Sequence, residues 1–187
     1  EGWFRVLDKL AEIGIPHVIF TGGEPTLYPD LPDLIRHADT SGHIVGMNTN
    51  GRRLANRAVV EALANAGLNH VQITLESPYA DVHNAMVRAD AFEETVQGIR
   101  NALAAGIHTI TNTTLTRQNV DHALETVRFV HDLGLTTFAM NGMIYAGGGT
   151  DSPDAIPAEE MAAVLAAVRD EAAALDMRFL WYTVTDY

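Results

Sequence analysis

Apolar positions along this chain follow two alternating periods. Phe92, Val96, Ile99 and Leu103 make one stripe at helical spacing, and Val120, Leu124, Val127 and Val130 make another. Helical segments stop at a glycine and enter an apolar or β-branched run within a few residues. The joints read "EIGIPHVIF", "TSGHIVGM", "NAGLNHVQI", "AAGIHTIT" and "DLGLTTFAM". A glycine just past the last turn accepts the left-handed backbone that ends a helix. The runs after the joints predict strands at 17–22, 44–49, 70–75, 108–114 and 136–145. They are nearly continuous in apolar or β-branched residues, which predicts strands covered on both faces. A last helix near 158–175, carrying Met161, Val164, Leu165, Val168 and Leu175, leads into a sixth strand, "RFLWYTV". Helix alternating with buried strand predicts βαβ units, a parallel sheet and the α/β class. Residues 1–187 read as a single domain. A longer Gly/Pro/Asp loop spans 146–157, and the final helix and strand occupy 158–187.

Parallel α/β sheets place their chemistry at the carboxyl ends of the strands. Those ends read "TGGE", "MNTNG", "TLES", "NTTLT" and "MNGMIYAGGG", where polar groups and glycines concentrate. The amino ends carry His17, His43, His70 and His108. Four histidines invite a metal reading. Their shared place at the opening of each strand points instead to structural capping. At the first strand end, Gly22 and Gly23 let a ligand approach the backbone, whose amides and carbonyls are then free to bond it. Glu24 adds an acceptor for a cationic group such as a primary ammonium, and Pro25 rigidifies the exit. The same residues also suit an ordinary β-to-α turn with a solvated glutamate.

Composition narrows the function classes. A formal net charge of −12 opposes nucleic-acid binding, which needs a basic surface. No apolar run reaches the ~18 residues of a membrane span, and no basic leader precedes an apolar stretch. The absence of cysteine excludes a disulfide scaffold and fits a cytoplasmic protein. An aldolase-type or phosphate-binding barrel is a poor fit. Lys9 is the only lysine and lies on the first helix, and "AGGGTD" lacks the lysine and Ser/Thr of a P-loop.

"TGGEPTLYPDL" resembles the GGE motif of radical S-adenosylmethionine (SAM) enzymes, in the branch with molybdenum-cofactor, pyrroloquinoline-quinone and peptide-maturase members. "MNTNGRRL" is similar to the family's third-strand TNG. "VQITLESPYADVHNAMVRADAFEETVQGI" resembles its fourth-strand passage, "ITNTTLTRQN" its fifth, and "MNGMIYAGGG" its sixth-strand end. The motifs stand in order over about residues 15–150. The resemblance implies a partial (β/α)6 barrel that holds SAM at its carboxyl rim. By position, Gly22, Gly23, Glu24 and Pro25 take the methionyl ammonium. Thr74 and Glu76 contact ribose or the amino-acid part, and Arg88 pairs with the methionyl carboxylate. Asn112 and Thr114 reach the nucleoside, Met143 and Ala146 pass near adenine, and Asn50 is a weaker candidate beside Asn48.

The family's three-cysteine loop, which ligates a [4Fe-4S] cluster, has no counterpart here. The order of motifs implies that the first strand and this loop lie before Glu1, and that an auxiliary-cluster (SPASM-like) region follows Tyr187. The resemblance then implies reductive cleavage of SAM to a 5′-deoxyadenosyl radical that abstracts a substrate hydrogen. It also implies an electron donor such as a flavodoxin or ferredoxin, and a peptide or cofactor precursor as substrate. No side chain of this chain need act as general acid or base, and none is expected to bind metal. The alternative is a cluster-free (β/α) ligand-binding module or a degenerate relative.

Overall fold

The computed structural model of the chain describes residues 2–143 and 153–183. Its elements are α1 (Gly2–Glu12), β1 (His17–Phe20), α2 (Leu31–Thr40), β2 (Ile44–Thr49), α3 (Arg57–Asn65) and β3 (His70–Thr74). There follow α4 (Ala80–Val87), α5 (Phe92–Ala104), β4 (His108–Leu115), α6 (Ala123–Asp132), β5 (Thr137–Gly142), α7 (Ala158–Ala174) and β6 (Arg178–Trp181). Short 3₁₀ turns cover Pro25–Leu27, Arg52–Ala55 and Val120–His122. The strands form a parallel six-stranded sheet whose order is the chain order. The α/β class and the parallel arrangement expected from the sequence are therefore present. The predicted loop of 146–157 lies partly outside the described residues, and Ala158 already opens α7.

Each of the five glycine joints ends its helix in the left-handed region. φ is +77° at Gly14, +90° at Gly42, +103° at Gly67, +75° at Gly106 and +96° at Gly134. Ahead of β6 the same stop falls on Asp176, at φ +54°, a residue type that tolerates this conformation. The segment between β3 and β4 holds two helices, because α4 is closed by Arg88 at φ +56° before α5 begins.

The chain groups into two compact units, Glu1–Thr74 with Glu94–Thr109, and Leu75–Glu93 with Ile110–Tyr187. In the first, Val45, Met47, Val71 and Ile73 are buried on one face of the sheet. Leu34, Ile35 and Ala38 of α2, Val60 and Leu63 of α3, and Ile99 and Ala102 of α5 are buried with them in this unit. Transfer of each such side chain from water stabilises by about 1.5–3 kcal/mol. In the second unit Phe138 and Met140 are buried with Val127 and Val130 of α6 and Leu165 and Val168 of α7. Phe138 also stacks on Phe179 with ring centroids 5.1 Å apart.

One expectation is overturned in part. β3 and β4 alternate in burial instead of being covered on both faces, whereas Thr137–Met140 and Gly142 of β5 are buried as expected. In β4 the buried positions are Thr109, Thr111, Thr113 and Leu115. His108, Ile110, Asn112 and Thr114 lie on the opposite, more open face. Threonine is β-branched and suits a pleated surface on either face, so a run rich in threonine mimics a fully apolar strand. In the first unit the less buried strand positions include His17, Asn48, His70, Gln72 and Thr74, and in the second Asn112, Thr114 and Asn141.

Candidate functional site

In the first unit β1 ends at Phe20 and the chain turns through the two glycines. Gly22 has φ +142°, and no heavy atom lies within 4 Å of where a Cβ would stand at either Gly22 or Gly23. A bare backbone with open space above it is the form a closely approaching ligand requires. Glu24 follows in extended conformation and caps the 3₁₀ turn. Its Oε1 accepts from the Thr26 amide at 3.0 Å, from the Thr26 hydroxyl and from the Thr49 hydroxyl at 2.7 Å. Its Oε2 accepts from the Asn50 amide at 2.8 Å. The carboxylate thus clasps the end of β1 to the end of β2. Oε1 carries three donors, whereas Oε2 carries one and keeps acceptor capacity for a cation. Pro25 is buried beneath the turn.

Asn50 is exposed and sits in the TNG turn. Its side-chain oxygen accepts from the Arg52 amide at 3.0 Å, and its carbonyl accepts from the Thr95 hydroxyl at 3.0 Å. Asn50 is therefore foremost a turn residue. Gly98 of α5 packs against this turn so closely that a Cβ there would stand 2.2 Å from the Gly51 carbonyl oxygen. Thr74 ends β3 half-buried on the open face.

In the second unit Glu76 is the centre of a buried network. Its Oε2 accepts from the Thr114 amide at 2.7 Å, and its own amide donates to His83 Nδ1 at 3.2 Å. Asn119 Nδ2 donates to the Glu76 carbonyl at 2.7 Å and to the Thr114 carbonyl at 3.0 Å. Burial pushes the Glu76 carboxyl up to about 7, against the opposing pull of the Thr114 N–H. Burial likewise lowers His83, which stays neutral with its proton on Nε2, because Nδ1 accepts. That Nε2 has no hydrogen-bond partner among the described residues, and the ring meets Phe92 edge-on at 5.8 Å.

Asn112 Nδ2 donates to Asn141 Oδ1 at 2.8 Å, while Asn112 Oδ1 is buried without a partner among the described residues. An orphaned acceptor beside Thr114 suits a ligand that brings a donor. Asn141 Nδ2 bonds the Gly142 carbonyl at 3.0 Å. Arg88 is exposed at φ +56°, ψ +39°, a backbone that costs a non-glycine residue energy and often marks a functional position. Met143 follows β5 half-buried, and Ala146 lies outside the described residues.

The structure thus groups the candidates as Gly22, Gly23, Glu24, Pro25 and Asn50 in the first unit, where Thr74 also lies, and Glu76, Asn112 and Thr114 in the second, where Arg88 and Met143 also lie. Sequence reasoning missed Thr26, Thr49, Asn119 and Asn141. Asn119 and Asn141 lay inside the quoted motifs, but hydrogen bonds to strand neighbours 27 to 43 residues away have no local signature.

Residues 2–130 match the family model described as the radical SAM superfamily. The chain belongs to that superfamily. It is 34% identical over 172 residues to a PqqA peptide cyclase of Streptomyces rochei, covering 90% of this chain and 47% of the relative. It is 30% identical over 154 residues to an AdoMet-dependent heme synthase of Methanosarcina barkeri, covering 82% of this chain and 44% of that protein. The chain spans about half the length of the curated relatives it matches. Among solved structures, Streptococcus suis SuiB bound to S-adenosylmethionine superposes with a TM-score of 0.80 at 18% identity, over 98% of this chain and 43% of SuiB. That likeness establishes the shared fold. The peptide-cyclase relative fits the branch expected from the motifs.

Proposed function

We propose that this chain is the SAM-binding core of a radical SAM enzyme that modifies a peptide. The observation that carries the reading is the open space over Gly22 and Gly23 beside a carboxylate with a free acceptor position. A methionyl ammonium needs several acceptors at close range, and exposed glycine carbonyls with Glu24 Oε2 supply them. The orphaned Asn112 Oδ1 fits a donor on the nucleoside, with Thr114 and Glu76 on the same network. Arg88 offers the planar cation suited to a carboxylate. Thr74 would lie along the ribose, Asn50 would support the turn under the ammonium, and Met143 with Ala146 would border adenine.

A [4Fe-4S] cluster does not fit the donor set of this chain, which has no thiolate, so its ligands would come from a segment outside these residues. The open edge of β1 has room for such a segment. A groove of about 450 Å³ runs between α1 and β1, lined by Trp3, Val6, Leu10, Val18 and Phe20 among others. Trp3 is 61% exposed and Ile19 46% exposed, an apolar strip suited to a further strand. A peptide substrate rests on likeness to the Streptomyces rochei peptide cyclase, and a flavodoxin or ferredoxin would serve as electron donor.

The test is Gly23→Val in the full-length protein. A Cβ at Gly23 meets nothing, so the fold should keep its unfolding midpoint while SAM binding by calorimetry weakens at least about tenfold, the equivalent of 1.4 kcal/mol. Unchanged SAM affinity in a folded Gly23→Val protein overturns the site. Iron analysis of the same preparation decides between a cluster enzyme and a cluster-free binding module.

A further inference from the structure

The histidines at the amino ends of the strands do not share one role. His43 behaves as a structural tie, with Nδ1 donating to the Ile15 carbonyl at 2.7 Å. His17 and His70 do something else. They belong to β1 and β3, on either side of β2, yet their Nε2 atoms stand 3.3 Å apart. The His70 ring lies over the bare Gly46, whose partner on β1 is Ile19, two residues beyond His17. Gly46 is paired in register with His70, and a Cβ there would lie 2.1 Å from the His70 Nε2 and Cε1 atoms. The glycine leaves a gap on β2, and the His70 imidazole fills it.

The ring centroids are 4.8 Å apart, only 1.5 Å more than the nitrogens (4.8 − 3.3), with planes inclined at 55°. A head-on N–H···N contact would add a full centroid-to-nitrogen distance at each end. These rings therefore do not meet head-on. Two imidazole nitrogens bound about 2.0–2.1 Å from a tetrahedral ion are about 3.3–3.4 Å apart, which is the separation seen.

We propose that His17 and His70 form a two-imidazole chelate for a borderline divalent cation, Zn²⁺ by this spacing with Cu²⁺ as its spectroscopic probe, seated over Gly46 at the amino end of the strands. The ion would keep its other positions for water or a ligand, since no group of three His, Cys, Asp or Glu among the described residues is arranged to hold a metal. His108 stands beside His70, as its amide donates to the Asn69 carbonyl at 3.1 Å, but it serves as a neighbour and not a ligand.

The experiment is titration of the full-length protein with CuCl₂ and with ZnCl₂, in wild type and three variants, read by calorimetry and by copper EPR. Wild type should take up one tight equivalent whose EPR spectrum shows two coordinated imidazole nitrogens. His17→Ala removes an exposed ligand and should lower affinity at least about tenfold. Gly46→Ala removes no ligand, yet its Cβ should swing the His70 ring away and lower affinity similarly; the displaced atoms end a rotatable side chain, so the fold should stand. His108→Ala should bind like wild type. Wild-type affinity in His17→Ala or in Gly46→Ala would overturn the site, as would loss in His108→Ala equal to that in His17→Ala. Absence of any tight equivalent in wild type would leave the pair an imidazole–imidazole hydrogen bond and end the proposal.

Discussion

Glu76 gives the sharpest quantitative test of the buried network. The side chain is 8% exposed, and its carboxyl titrates at about 7 instead of its ordinary 4.5. At about 1.36 kcal/mol per pH unit of displacement, keeping it ionised in the folded state costs roughly 3 kcal/mol. The sign follows from proton binding. Between pH 4.5 and 7 the folded protein holds this proton and the unfolded chain does not, so stability falls as pH rises through that window and levels off above it. Glu76→Gln removes the titration, and its amide oxygen can still accept from the Thr114 N–H. Urea unfolding of both proteins at several pH values isolates the effect, because all other titrating groups cancel in the difference. The stability of Glu76→Gln relative to wild type should rise by roughly 3 kcal/mol from pH 4 to pH 8, with most of the rise between 4.5 and 7. A difference that stays flat across this range would refute the assignment of a neutral, buried carboxyl.

Arg88→Gly should separate stability from binding. It relieves a left-handed strain of about 1–2 kcal/mol against a glycine entropy cost of about 0.5–1 kcal/mol. The variant should therefore be as stable as wild type or up to about 1 kcal/mol more, while its SAM affinity by calorimetry falls at least about tenfold through loss of a charged hydrogen bond. Unaltered affinity would remove Arg88 from the site. Gly98→Ala places a Cβ 2.2 Å from a backbone oxygen that cannot swing aside. It should cost about 1–3 kcal/mol in urea unfolding, and a neutral result would mean that α5 does not pack on the TNG turn as described.

Much of the architecture was legible because its punctuation is chemical. Five helix stops were written as glycines at positions where only a residue without a Cβ is comfortable, and all five are left-handed. The sixth stop, at Asp176, uses a residue that also serves many other purposes, so it gave no signal. The burial of β4 was misread for a related reason. In "HTITNTTL" threonine fills both the covered and the open positions, and β-branching reports backbone preference without reporting which face is wet. At the candidate site the Gly-Gly-Glu turn stood out since neither residue type favours a strand. The residues that hold it did not. Thr49 reaches Glu24 across 25 positions and Asn119 reaches Glu76 across 43, distances at which only the fold decides who meets whom.

The Glu24 carboxylate shows why a structural and a binding role need not compete. Three donors crowd Oε1, and they fix the carboxylate plane and its distance from β2 before any ligand arrives. A charged acceptor already oriented loses little side-chain entropy when a cation joins it, so the remaining capacity of Oε2 is worth more than that of a free surface glutamate. The clasp is the preorganisation.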